Sequence, residues 1–277
     1  VKEPLVSVIC LCHNQAPYLE EALQSVLNQE YTSVELIIVD DGSTDGSKEL
    51  VRTFLTKHPV EFIDIPEAVG NCQAFNLGFK ISKGDFIIDL AADDVLLPER
   101  IRQGVIRLTE TNAGVHYSNA ELIDVDGHHL SFHNDRFDFP MPEGDVYAHL
   151  AREYLVCPPT MMIRREVLES LGGYDELLSY EDFDFWVRSA REFAYCYSDE
   201  VLVKKRILPN SHSATHARFR SGHQKSTLMV CEKILKMNRT VEEGQALKKR
   251  CWHEIRQCIK KGNLSLIPNY LSILKQC

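Results

Sequence analysis

Residues 35–45 read Glu-Leu-Ile-Ile-Val-Asp-Asp-Gly-Ser-Thr-Asp. The stretch from Glu35 to Val39 is a short apolar run of the kind buried on both faces of a parallel sheet. It stops in Asp40, Asp41 and Gly42, then leads into a helix pattern with Leu50, Val51, Phe54 and Leu55 on one side. Acids where a strand meets a helix put charge at the strand's carboxyl end, where ligands gather in open α/β sheets. The unit repeats on either side. Upstream, Val6 to Leu11 reads as a strand, followed by a helix with Leu19, Ala22, Leu23, Val26 and Leu27 on one face, capped by Asn14 with Pro17 in its first turn. Downstream, Glu61 to Ile65 is a third strand and Cys72 to Ser82 a helix carrying Ala74, Phe75, Leu77 and Ile81. Asp85 to Leu90 is a fourth strand, ending in Ala91-Ala92-Asp93-Asp94. This alternation implies right-handed crossovers and a mostly parallel sheet with helices on both faces, an α/β class.

Beyond Val115 the rhythm changes to shorter strands and long polar loops, including 128–142, placed over the sheet end. Glu181-Asp182 opens a helix with Phe183, Trp186, Val187 and Ala190, and beyond Arg220 two or three helices are expected, split near Thr240 and Gly262-Asn263. The division expected is 1–217 for the main domain, with a first half to about 114 and a second half from 115, then a helical extension over 218–277. The 277 residues, 44% hydrophobic and 26% charged, suit a globular protein. No apolar run approaches the roughly 20 residues of a membrane-spanning helix, and no secretory signal is visible at the start. Nine cysteines lack the paired spacing of a zinc site and read as reduced thiols in a cytoplasmic protein, Cys10 and Cys12 as buried small hydrophobes.

The net charge of −9 is unevenly divided. Residues 218–277 hold thirteen Lys and Arg against four acids, a balance of +9, so the first 217 carry −18. The simplest reading of the tail is a solvated helical surface packed on the core through Met229, Ile234, Leu235, Ile255, Ile259, Leu266 and Leu271. Its charge also suits peripheral contact with an anionic membrane, at the inner face for a cytoplasmic protein. Nucleic acid is not expected, because the one Trp and one Tyr of residues 218–277 offer little stacking surface. The glycine-rich fingerprints of dinucleotide and P-loop sites are missing. In their place stand carboxylates at strand ends, which suit a hard divalent cation and a ligand with hydroxyl and N–H donors.

Four segments in order, SVICLCHNQAPYLEEALQSVLNQ, ELIIVDDGSTDGS, AVGNCQAFNLGFKISKGDFIIDLAADD and GGYDELLSYEDFDFWVR, resemble family 2 glycosyltransferases of the GT-A fold over roughly residues 4–215. The resemblance implies that Leu11, Cys12 and His13 hold a nucleotide through their backbone, with Asp40 or Asp41 accepting from the base, typically uridine. It implies Asp93 near the ribose and Asp94 on the metal, Mn2+ or Mg2+, although Ala91 stands where many members carry a further Asp. A local alternative exists for each acidic pair: Ser43 or Thr44 capping the next helix, and a cap for the helix starting near Pro98. Asp182 matches the family's catalytic base, at a helix start that lowers a carboxylate's pKa and keeps it ionised, while Glu181 serves the acceptor side or only the helix dipole.

Gly172 and Gly173 match the acceptor-side loop, with a helix stop after Leu171 as the competing reason for glycine. The family's metal-binding histidine falls at Leu208, so His212, or less readily His216, is the substitute. Lys204, Lys205 and Arg206 are placed to neutralise a diphosphate. The implied reaction moves one sugar from a nucleotide-diphospho-sugar, UDP-sugar favoured, to a hydroxyl of a sugar or lipid-linked glycan acceptor, with inversion, in cell-surface polysaccharide or glycan assembly. The alternatives are a catalytically silent nucleotide-sugar-binding or scaffold protein and a nucleotidyltransferase.

Overall fold

A computed structural model describes residues 3–209 and 223–277. Its sheet begins with β1 (Val6–Cys12), β2 (Val34–Asp41), β3 (Glu61–Ile65) and β4 (Phe86–Ala91), connected by α1 (Ala16–Leu27), α2 (Ser47–Leu55) and α3 (Asn71–Ile81). Then come β5 (Val95–Leu96), α4 (Arg100–Thr111), β6 (Val115–Ile123), β7 (His129–Phe132) and α5 (Tyr147–Arg152). The second half closes with β8 (Met162–Arg164), α6 (Arg165–Leu171), α7 (Asp182–Ala190) and β9 (Tyr195–Arg206). The tail forms α8 (His223–Met237), α9 (Val241–Lys261) and α10 (Ile267–Gln276). The strand order is β3-β2-β1-β4-β8-β6-β9-β5, with β7 paired to β6. The pairs among β1 to β4 run parallel, as does β6 with β9, while β8, β5 and β7 enter antiparallel.

Register decides where the strands end. Cys12 pairs with Asp40 and Leu11 with Ala91, so β1, β2 and β4 finish at one level and their loops share one crevice. Because β1 is buried along its whole length, its alternate residues serve two cores. Val8 and Cys10 face a layer holding Leu19, Leu23, Val51 and Ile101, whereas Ile9 and Leu11 face one holding Phe75, Phe183 and Trp186. Cys10 and Cys12 are buried on one face as expected, and all nine cysteines are free.

Several expectations need correction. Leu50, Leu77 and Ile81 lie on outward helix edges, 40%, 36% and 38% exposed, because the neighbouring residues Val51, Ala74 and Phe75 already fill the sheet contact. Ile259 and Leu271 of the tail are likewise exposed. The stretch 128–142 is not all loop, since it holds β7 and a short 3-10 turn. The tail packs on the body of the protein: Leu228, Cys231, Ile234, Leu247, Ile255 and Tyr270 share the second core with Tyr147 of α5 and Phe183 of α7. Its breaks fall where expected. Thr240 accepts from Glu243 N in a capping box, and Gly262 ends α9 in the left-handed region.

Candidate functional site

The loops after β1 and β2 hold each other. Asn14 takes a left-handed backbone (φ 55°), which turns it from its own helix toward the neighbouring loop. Its N–H donates to Ser43 Oγ at 2.9 Å, and its Oδ1 accepts from Thr44 N at 2.8 Å. The cap of α1 comes instead from across the crevice, where Ala16 N donates to Asp45 Oδ2 at 2.9 Å and Gln15 N to Ser47 Oγ at 3.3 Å. Ser43 and Thr44 therefore bind the first loop rather than cap α2, which starts behind Gly46. His13 Nδ1 donates to Asp41 O at 2.5 Å, so its Nε2 is left to accept from Asn14 Nδ2.

These ends wall a cleft of about 570 Å³. Leu11, Cys12, His13 and Asp41 line it; Asp40 does not. Asp40 is fully buried, accepting from Ser43 N at 2.9 Å with Lys48 Nζ 3.7 Å away. Asp41 accepts from Val69 N at 2.7 Å and Gly70 N at 3.0 Å, tying the chain ahead of α3 to the cleft wall. The glycine after the acids has its own cause: at Gly42, φ +69°, a Cβ would lie 2.5 Å from Ala68 N.

Asp93 and Asp94 line the cleft beyond β4. Gln15 Nε2 donates to Asp93 Oδ1 at 2.6 Å, and Arg206 N to Asp94 Oδ1 at 2.9 Å. Burial, and then the charge of Asp93, push the Asp94 carboxyl up to about 8. The nearby charges of Lys205 and Arg206 do not bring Asp94 back to the ordinary range, and two adjacent buried carboxylates form a donor set that fits a hard divalent cation. Leu208 lines the same cleft but offers no side-chain donor atom, and His212 and His216 lie outside the described residues. Among the described residues, the group with ligand atoms within 4.8 Å of one another is Asp124, Asp126 and His128. It sits on the turn between β6 and β7, where Asp124 already accepts from the backbone of Asp126 and His128.

Glu181, at the N-cap position of α7, and Asp182, which begins the helix, line the same cleft. Glu181 Oε1 accepts from Asn71 Nδ2 at 2.7 Å. Burial, then Glu181, raise the Asp182 carboxyl well above the ordinary range, which corrects the expectation that the helix start lowers it. Desolvation and a like charge outweigh the helix dipole here. Asp89 also lines the cleft, accepting from Tyr174 OH at 3.1 Å, its carboxyl raised by burial and then by Glu181 and Asp182. Its signal in the sequence is a lone acid inside the apolar strand Phe86-Ile87-Ile88-Asp89-Leu90, a position that costs free energy unless it is used.

Among the three expected diphosphate groups, Lys205 and Arg206 line the cleft and Lys204 does not. Lys204 Nζ is 3.9 Å from Glu121. The Arg206 guanidinium is already engaged, donating to Glu21 Oε2 (2.6 Å) and to the carbonyls of Asp93, Asp124 and Val125, and lying 4.7 Å from the Tyr18 ring centre. Burial opposes charge on Lys205, but Cys157 and the carboxylates of Asp94, Asp182 and Asp93 more than offset it and hold its ammonium above the usual lysine value.

The profile described as Glycosyl transferase family 2 matches residues 7–172. The chain belongs to this family of glycosyltransferases. The matched span includes Asp41, Asp93 and Asp94 but stops short of Asp182. An uncharacterized glycosyltransferase of Rickettsia typhi is 29% identical over 208 residues, 74% of this chain and 64% of that one. Another from Methanocaldococcus jannaschii is 29% identical over 215 residues, 75% of this chain and 72% of its own. The match thus spans about two thirds of these relatives' lengths. In fold, S. aureus TarS 1–349 in complex with UDP-GlcNAc is similar with TM-score 0.76 at 19% identity, covering 98% of this chain and 79% of that one. The mannosyltransferase PcManGT from Pyrobaculum calidifontis, in complex with GDP-Man and Mn2+, has TM-score 0.69 at 18% identity, covering 99% and 75%.

In this family 2 glycosyltransferase the glycine pair lies off the cleft wall, and each glycine has a local cause. Gly172 ends α6 with φ +71°, and a Cβ on Gly173 would meet Asn76 Oδ1 at 2.5 Å. Arg188 of α7 donates to Leu171 O and Gly173 O, so the segment leading to Asp182 is fastened to the helix that carries it. The tail adds further ties. Lys233 Nζ lies 2.6 Å from both Asp175 and the buried Asp184, and Arg250 stacks 4.0 Å from the Tyr154 ring centre and 4.6 Å from that of Phe183. Lys233→Met is therefore expected to cost about 1–3 kcal/mol of stability, the range for a hydrogen bond to a charged group with Arg188 still beside Asp184. The urea midpoint checks this, and an unchanged midpoint would show that the tail does not brace α7.

Proposed function

We propose that the cleft transfers a single sugar from a nucleotide-diphospho-sugar, UDP-sugar favoured, to a hydroxyl of a sugar or lipid-linked glycan, with inversion and with Mn2+ or Mg2+ as cofactor. The carrying observation is that one cleft gathers Asp93, Asp94 and Asp182, with the Lys205 ammonium close enough to interact with all three. In this reading the backbone of Leu11, Cys12 and His13 cradles the nucleotide and Asp41 accepts from the base, since Asp40 is turned away. Asp93 stands at the ribose, and Asp94 holds the cation with His212 as the further ligand expected. The bound cation supplies Lewis-acid stabilisation of the departing nucleoside diphosphate. Lys205 adds the protein's own positive charge, and Asp182, fixed beside Glu181, takes the proton from the acceptor hydroxyl. A raised pKa makes Asp182 the stronger base once ionised. A single displacement with no enzyme nucleophile inverts the anomeric centre.

The nucleotide sugars in the complexes of TarS and PcManGT support a donor of this class, and the Mn2+ in the latter supports the cation. Lipid-linked acceptors lie at a membrane surface, and the basic tail is the part of the chain suited to one, on the cytoplasmic side. Ala91 and Leu208 lack side-chain donor atoms, which favours a silent nucleotide-sugar binder as the second reading. Release of nucleoside diphosphate that stops on adding a chelator supports transfer, turnover-free binding supports the silent reading, and pyrophosphate would indicate a nucleotidyltransferase.

A pH dependence follows from Asp94. Its folded pKa is raised, so between 3.8 and about 8 the folded state holds the extra proton and metal-free stability falls as pH rises. A cation takes that proton's place. The rise in melting temperature caused by Mn2+ is expected to grow between about pH 5.5 and about pH 8.5. A shift independent of pH would remove Asp94 from the metal site.

A further inference from the structure

The outward side of α9 combines features that water does not favour together. Its inner side is set by Ala246, Leu247, Cys251, Ile255 and Cys258, which join the second core. Opposite stand Lys249, Trp252, Arg256, Ile259 and Lys260, all exposed, Trp252 at 50% and Ile259 at 60%. With 3.6 residues per turn and 1.5 Å rise, these five share roughly 100° of arc along about 16 Å of helix. Between Gln245 and Lys260 the sequence has one acid, Glu254, and it is buried with Arg250 NH1 3.2 Å away. An indole and an aliphatic chain are thus held out in water among bases that repel each other at helical spacing.

We propose that this face of α9 docks on an anionic lipid bilayer, with Trp252 and Ile259 entering the headgroup boundary and Lys249, Arg256 and Lys260 against lipid phosphates. Tryptophan favours the level where one edge is apolar and the other wet. A helix with bases and apolar residues on one outward stripe lies in the plane of such a surface. The charge of the whole chain agrees: an anionic surface attracts the +9 of 218–277 and repels the −18 of the first 217 residues, which orients the protein tail first. A protein partner fits less well, because interface cores are depleted in charged residues such as lysine. The docking deepens the proposed use of lipid-linked acceptors, yet its test needs no turnover.

Tryptophan fluorescence supplies that test. The chain has two tryptophans, and Trp186 is buried with its Nε1 donating to Met161 Sδ, so a change on adding vesicles reports Trp252. Vesicles of phosphatidylcholine with about one third phosphatidylglycerol are expected to shift the emission to the blue and to sediment the protein, less so as salt rises, while phosphatidylcholine alone does neither. Lys249→Gln, Arg256→Gln and Lys260→Gln together are expected to lower partitioning on the order of 100-fold, from about 1 kcal/mol per basic residue. Trp252→Ser is expected to remove the blue shift and weaken binding with an unchanged melting temperature, since the side chain is exposed. No binding to anionic vesicles by the parent overturns the proposal, as does full binding by the triple variant. Nucleotide-dependent thermal stabilisation, measured on the same samples, stands or falls separately and reports the donor site alone.

Discussion

Asp182→Asn is expected to lower kcat by about 10²–10⁴-fold, the range for loss of a general base, while donor binding stays intact. Asparagine keeps the size of the side chain and its place at the start of α7 but has no lone-pair basicity toward an acceptor hydroxyl. The pH profile provides the second readout. Burial and Glu181 raise the Asp182 carboxyl, so parental activity falls away as pH drops through that raised value rather than near the ordinary aspartate value of 3.8. The residual activity of the variant should lack that acid limb. Equal loss of donor-induced thermal stabilisation and of turnover would instead place Asp182 in donor binding.

Asp94→Asn is expected to act on donor binding rather than on the base. At nucleotide concentrations about 100-fold above Kd, binding stabilises the parent by about 2.7 kcal/mol. For a chain of this size that corresponds to a rise of roughly 5–10 °C in melting temperature. The variant should lose most of this rise in Mn2+, because the carboxylate proposed to hold the cation is gone. Its metal-free form should be at least as stable as the parent, since the substitution removes a carboxylate whose ionisation is opposed by burial and by Asp93. A metal-free variant that is less stable, with the nucleotide effect unchanged, would make Asp94 structural. Differential scanning fluorimetry of both proteins with and without Mn2+ separates these outcomes.

Much of the first half is legible in the sequence because its determinants are local. Glu61–Ile65 is a strand with the bounds its apolar run indicates, while β1, β2 and β4 run one, two and one residues past the expected ends at Leu11, Val39 and Leu90, because backbone pairing with their neighbours carries on through Cys12, Asp41 and Ala91. Thr240 and Gly262 mark helix ends because a capping box and a left-handed residue each act within a few positions. The antiparallel insertions are not legible, since β5 and β8 are two and three residues long and too short for any period to register. Asn14 resembles a cap by type, yet its left-handed backbone sends its side chain to Thr44, a contact between two loops.

Within the site, residue types pointed to the acids but not to their surroundings. Choosing Asp41 over Asp40 as the cleft residue depends on which strand face meets the chain ahead of α3. Preferring Lys205 to Arg206 as the available cation depends on Glu21 and Tyr18, both far away in sequence. The raised carboxyl of Asp182 depends on burial created in part by the aromatic core under α7, against which the tail packs through Arg250. Long-range packing of this kind leaves no trace at the level of spacing.

The most direct test of the account is calorimetric titration of the protein with a panel of nucleotide-diphospho-sugars, with Mn2+ and with chelator, each mixture then assayed for free nucleoside diphosphate in the presence of candidate acceptors. The account predicts that one donor, a UDP-sugar, binds with Mn2+, binds far more weakly with chelator, and yields nucleoside diphosphate on turnover. Tight donor binding that is indifferent to chelator, or no binding of any nucleotide sugar with Mn2+ present, would contradict it.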